Sequence, residues 1–106
     1  MEDKYLRIVK KIILDNIDKD SYIVFLFGSR ARKEARAVSD IDIGFYGKEP
    51  LLDTLSELKV LLEESIVPYH IDLVDFTQVD NVFKQIATER IEIWNQPKDI
   101  SLDMMN

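Results

Sequence analysis

Apolar residues recur at helical spacing near the start of the chain, at Tyr5, Ile8, Val9, Ile12, Ile13 and Ile17, with lysines on the opposite side. That pattern predicts an amphipathic helix over residues 4–17. A polar break at 18–21 follows. Tyr22-Ile23-Val24-Phe25-Leu26-Phe27 is then apolar without interruption and predicts a strand covered on both faces. Residues 29–36, rich in Ala and Arg, predict a short helix or turn, and residues 40–46 a second strand. Gly47-Lys48-Glu49-Pro50 marks a turn. Residues 51–64 predict a second long helix with Leu51, Leu55, Leu58 and Leu62 on one side. Pro68 precedes a third strand at 69–74. Val79, Val82, Phe83, Ile86 and Ala87 predict a last helix, and Ile91-Glu92-Ile93-Trp94 alternates like a short edge strand. The expected domain is residues 1–96, with 97–106 a loosely ordered tail.

This order of elements fits an α+β domain, a small mixed sheet flanked by helices. The short link between the first two strands favours antiparallel pairing. The helix between the second and third favours a crossover to a parallel neighbour. Such an arrangement brings strand ends together, so that Asp40, Asp42 and Asp72 converge beside Gly28 and Ser29.

That convergence carries chemistry. Asp40 and Asp42 are two residues apart, each followed by isoleucine. On a strand both carboxylates point to one side and both isoleucines to the other. Adjacent acids repel, and a hard divalent cation such as Mg²⁺, which takes oxygen ligands, removes the conflict. Upstream, Gly28 ends the apolar strand and Ser29 opens the next segment. A small residue at such a junction lets backbone N–H groups approach an anion. The unit reads as a Mg–nucleotide site.

Composition narrows the function classes. One domain of 106 residues with 46% hydrophobic and 32% charged residues fits a folded soluble protein. There is no cysteine and a lone histidine, which excludes disulfides, thiolate metal sites and a His-rich zinc centre. No apolar run is long enough for a membrane span, and the N-terminal residues lack a secretory apolar core, so the expected location is cytoplasmic. A net charge of −6 disfavours extended nucleic-acid binding and suits a basic protein partner.

Gly28-Ser29, ten residues, then Asp40-Ile41-Asp42 resembles the signature of the DNA polymerase beta-like nucleotidyltransferase superfamily, and in particular its minimal (MNT) branch. The resemblance extends from about Lys4 to Asn95. It includes a third carboxylate in an apolar strand, Asp72 in Ile71-Asp72-Leu73. Many relatives carry Gly after the Arg-Ala-Arg run where this chain has Lys33. The resemblance implies the nucleotidyltransferase fold and transfer of AMP from ATP to a hydroxyl, with two Mg²⁺ ions ~3.5–4 Å apart. Asp40, Asp42 and Asp72 would be the metal and catalytic residues, Asp42 and Asp40 bridging and Asp72 nearest the acceptor. Gly28, Ser29 and Arg30 would hold the phosphates. Minimal members pair with a helical HEPN ribonuclease toxin and act as its antitoxin by modifying a toxin tyrosine. The resemblance therefore implies a HEPN-type partner, in a homodimer or a hetero-oligomer.

Simpler readings stand beside these. Ser29 suits a helix cap, and Arg30, Arg32 and Arg36 suit solvated charges. Asp40, after Ser39, suits a turn. His70 shares the parity of Asp72 and points to the same side. Asp75 has the opposite parity and suits a strand end, and Trp94 suits packing. The rival functions are nucleotidylation of a small molecule with a separate substrate-binding subunit, and a non-catalytic binding antitoxin.

Overall fold

The computed structural model describes residues 3–33 and 40–105. Helix α1 (Lys4–Asp15) starts where the Asp3 side chain accepts the Tyr5 N–H at 2.7 Å, a cap worth ~1 kcal/mol. Its stripe buries Val9 and Ile13. Strand β1 (Tyr22–Phe27) is buried along all but its first residue, as its unbroken apolar run requires. A single turn, α2 (Gly28–Ala31), leads towards β2 (Ile41–Gly47). The remainder is α3 (Leu52–Glu63), β3 (Ile71–Asp75), α4 (Asn81–Ala87), β4 (Glu92–Asn95) and a 3₁₀ turn (Leu102–Met105). Arg36 and Ser39, and the expected helix beyond Lys33, lie outside the described residues.

The sheet order is β3-β2-β1-β4. β1 pairs antiparallel with β2 and β4, and β2 pairs parallel with β3 through the α3 crossover. The expected mixed sheet flanked by helices is the fold observed. Alternation divides its residues between two faces. Val24, Leu26, Ile41, Ile43, Phe45 and Leu73 pack with Val9 and Ile13 of α1, Leu58 and Leu62 of α3, and Trp94. Ile23, Phe25 and Phe27 look the other way, towards Phe76, Ala87 and Ile100.

On this second face the rings of Phe25, Phe27 and Phe76 stack with centroids 4.9 and 5.2 Å apart across Phe76. Each such pair is worth ~0.5–1.5 kcal/mol beyond its area. Gly44 makes room for them, since a Cβ there would run into the Phe25 and Phe76 rings. The cluster anchors the last residue of β1 and hence the start of the turn after it.

Two details depart from the sequence expectation. Helix α4 has only seven residues and buries Ala87, while Val82 and Ile86 are 66% and 60% exposed. Ala87 and the Phe83 ring of α4, which meets Phe27 and Phe76, share the cover of this face with the segment after Gln96, expected to be a loose tail. Ile100 is 3% exposed within the aromatic cluster, and the Gln96 side-chain amide donates to the carbonyls of Pro97 and Ile100. Among the described residues no helix is long and apolar enough to cross a membrane.

Candidate active site

The last residue of β1, Phe27, is paired with Asp42 of β2, and Asp42 is paired with Asp72 of β3. Partners in register share a face of a pleated sheet, so both carboxylates stand on the Phe27 face, at an end that the aromatic cluster does not roof. Asp40 lies just before β2 with the parity of Asp42. Its neighbour Ile41 and the next isoleucine, Ile43, are fully buried on the opposite face. Within the strand, Ile41, Asp42 and Ile43 alternate as expected, with Asp40 one residue before its start.

Gly28 has φ +75°, in the left-handed region. A Cβ there would lie 3.0 Å from Asp42 Cγ and closer still to its carboxylate oxygen. The backbone turning out of β1 thus backs directly onto the Asp42 side chain, with half-buried Ser29 next in line. The turn ends with Lys33 at φ 60°, its N–H donating to the Arg30 carbonyl at 3.2 Å. This left-handed closure is the conformation for which glycine is the usual residue.

Charge in the row is unbalanced. Burial, followed by the neighbouring charges of Asp72 and Asp40, pushes the half-buried Asp42 carboxyl above its ordinary range, with His70 and Arg32 acting in the opposite sense. His70 Nε2 lies 3.4 Å from Asp72 Oδ1, both side chains exposed, on the common side their parity requires. Among the described residues no trio of His, Cys, Asp or Glu is already arranged to hold a metal ion. The donor set nonetheless fits a hard divalent cation: oxygen-only ligands, with Asp72 and Asp40 adding to the cost of ionising Asp42 between them.

The remaining candidates separate. Arg30 is only 7% exposed and pairs with Asp3 Oδ2 at 3.3 Å, with its guanidinium 4.7 Å above the Tyr69 ring. It joins α2 to the start of α1. Arg32, which the sequence suggested was a solvated charge, is the arginine whose field reaches Asp42. Spacing alone could not distinguish them, because the partners of Arg30, Asp3 and Tyr69, are distant in the chain. Asp75 is buried and accepts the N–H groups of Leu51 and Thr77 and the Thr77 hydroxyl, as a strand-end residue should. Trp94 is buried in the core and donates to Glu92.

Residues 9–99 match the polymerase beta nucleotidyltransferase family. The chain belongs to that family. A relative within it, the probable protein adenylyltransferase MntA of Haemophilus influenzae, is 36% identical over 80 residues, covering 74% of this chain and 68% of the relative. The nucleotidyltransferase fold also recurs in solved complexes. A chain of a toxin–antitoxin crystal structure with AMP-PNP superposes with a TM-score of 0.67 at 21% identity, over 97% of this chain and 81% of that one. A chain from tri-AMPylated Shewanella oneidensis HEPN toxin in complex with MNT antitoxin gives 0.59 at 21% identity, over 95% and 76%. The expectation of a nucleotidyltransferase of the MNT branch holds.

Proposed function

We propose that the chain transfers AMP from ATP, with Mg²⁺, to a tyrosine hydroxyl of a HEPN-type helical toxin, and so serves as its antitoxin in the cytoplasm. The observation that carries this reading is the row Phe27–Asp42–Asp72, with Gly28 set against the Asp42 carboxylate. The names of the MntA relative and of the HEPN–MNT complex support the choice of acceptor.

Asp40, Asp42 and Asp72 would hold the magnesium ions. When bound, magnesium supplies positive charge to the entering and departing oxygens of the displacement. The backbone at Gly28 and Ser29 receives the outer phosphates, and Arg32 adds charge from the same side. The acceptor oxygen bonds to the α-phosphorus, the α–β bridging bond breaks, and pyrophosphate leaves with the bonding pair. Asp72, at the acceptor end of the row, takes the hydroxyl proton. The chain contributes position and fixed charge rather than a covalent intermediate.

The test is co-expression with the product of the neighbouring open reading frame, isolation of any complex, and intact-mass measurement of the partner it contains. A gain in whole AMP units, lost in Asp40→Asn, is the expected result. A modified small molecule with an unmodified partner would favour a small-molecule acceptor. Toxin silencing that survives Asp40→Asn without nucleotide would make the chain a binding antitoxin.

A further inference from the structure

Two neighbours of Asp42 lead to one ring. Across the sheet, Asp42 is in register with Phe27. Along β2, the next residue on the same face is Gly44, and the Phe76 ring crowds the place where a Gly44 Cβ would lie. Phe83 of α4 meets both rings, Phe27 at 6.2 Å with the planes at 87° and Phe76 at 5.6 Å. Phe83 therefore stands beside the Asp42 position, over the same face of the sheet. Phe27 and Phe76 are buried, whereas Phe83 is 39% exposed. Val82 and Ile86, also exposed, extend its apolar surface along the helix.

We propose that Phe83 is the stacking platform for the purine base of the nucleotide. The proposal rests on the nucleotidyl-transfer reading above and adds to it the place and the means of base binding. With the outer phosphates at the Gly28–Ser29 corner and the α-phosphate at the carboxylate row, the nucleoside has two ways to run. One leads outward past Asp72 on β3, at the edge of the sheet. That side belongs to the acceptor hydroxyl, which enters opposite the departing pyrophosphate. The other leads back over the face towards α4, where the aromatic surface lies. Phe83 is already fixed there: its N–H donates to the Asp80 carboxylate at 2.8 Å, and the two buried rings hold its side chain. A ring held in place loses little conformational freedom when a base packs on it. Stacking uses the π-face that every base has rather than its hydrogen-bonding edge, so this contact holds adenine and guanine alike.

Calorimetric titration with Mg-ATP and with Mg-tripolyphosphate, which has no base, separates the platform from the phosphate site. Phe83→Leu keeps an apolar side chain against Phe27 and Phe76, and a thermal scan sets a temperature at which it is folded. It should bind Mg-ATP and Mg-GTP each about tenfold more weakly, while its affinity for Mg-tripolyphosphate moves by less than about twofold. Phe83→Trp, which restores a π-face, should recover most of the Mg-ATP affinity. Unchanged Mg-ATP affinity in Phe83→Leu overturns the platform, and loss of a partner from that variant on gel filtration would then make α4 a protein contact. Equal weakening of Mg-ATP and Mg-tripolyphosphate also overturns it, because the ring would then serve only to hold the carboxylate row. A loss confined to Mg-ATP, with Mg-GTP unaffected, overturns stacking in favour of edge recognition. Wild-type protein that binds neither Mg-ATP nor Mg-tripolyphosphate brings down the nucleotidyl-transfer reading and the platform with it. Wild-type binding of both beside an unaffected Phe83→Leu brings down only the platform.

Discussion

Gly28 leaves no room for a side chain because Asp42 fills the space where its Cβ would go. With φ +75° and Asp42 Cγ 3.0 Å from that point, the two residues act as one unit. Gly28→Ala meets a flexible side chain rather than backbone, so the fold survives while the carboxylate swings aside. The left-handed backbone costs about 1–2 kcal/mol. If Asp42 is a ligand in the proposed reaction, its misplacement costs more, roughly 100-fold in transfer. Urea unfolding and a labelled-ATP transfer assay on the same sample separate the effects. Near-normal transfer would mean that the corner does not set the Asp42 position.

Much of this site was legible because two-residue alternation is a hard constraint. Once Tyr22–Phe27 and Ile41–Gly47 are strands, Asp42 must face away from Ile41 and Ile43, and the α3 crossover leads to a parallel β3 that sets Asp72 beside it. What the sequence could not show depends on contacts distant in the chain. Arg30 finds Asp3, 27 residues away, and Ile100 closes a face that α4 is too short to cover. Periodicity reports local burial, and neither contact is local.

Lys33 carries backbone strain. At φ 60° it occupies the conformation that glycine adopts without a Cβ penalty. Lys33→Gly trades about 1–2 kcal/mol of left-handed cost against roughly 0.5–1 kcal/mol of chain entropy. A net gain of up to ~1.5 kcal/mol in urea is expected. A loss of stability would show that the Lys33 side chain makes a compensating contact.

Arg30 and Arg32 should respond differently to mutation. Arg30→Lys keeps the charge but loses the planar stack on Tyr69. It should lower stability by about 1 kcal/mol and leave Mg-ATP affinity unchanged. Arg32→Gln removes the cation that favours ionised Asp42 and should weaken Mg-ATP binding without unfolding the chain. Calorimetric titration of both variants decides the assignment, and the opposite pattern would return Arg30 to the phosphates.

Asp75 should prove structural, although it lies three residues from Asp72. Its carboxylate satisfies the Leu51 and Thr77 N–H groups at 3.1 and 3.0 Å. Asp75→Ala strands the buried Leu51 donor beside α3, at a cost of about 1–3 kcal/mol. Transfer per folded molecule at low temperature should stay near wild type. A selective loss of turnover with intact stability would place Asp75 in the reaction.

Asp42 connects acidity, stability and metal. Its carboxyl is raised above the ordinary 3.8 by burial first and then by Asp72 and Asp40, so folding favours the protonated form. That contribution is complete below the unfolded value and is lost as pH rises through the raised folded value. At neutral pH the ionised group therefore works against the fold. Asp42→Asn preserves shape without charge and should be the more heat-stable protein at pH 7 in the absence of Mg²⁺. The group is half-open to solvent, and screening keeps the gain below about 1 kcal/mol. The advantage should shrink in acid, where the wild-type carboxyl also becomes neutral. Added Mg²⁺ should raise the wild-type Tm by binding only the folded state and should raise the variant less. Thermal scans across this pH range, with and without Mg²⁺, test both parts. A wild type more stable than the variant at pH 7 without metal contradicts the burial argument, and equal Mg²⁺ responses remove Asp42 from the ligand set.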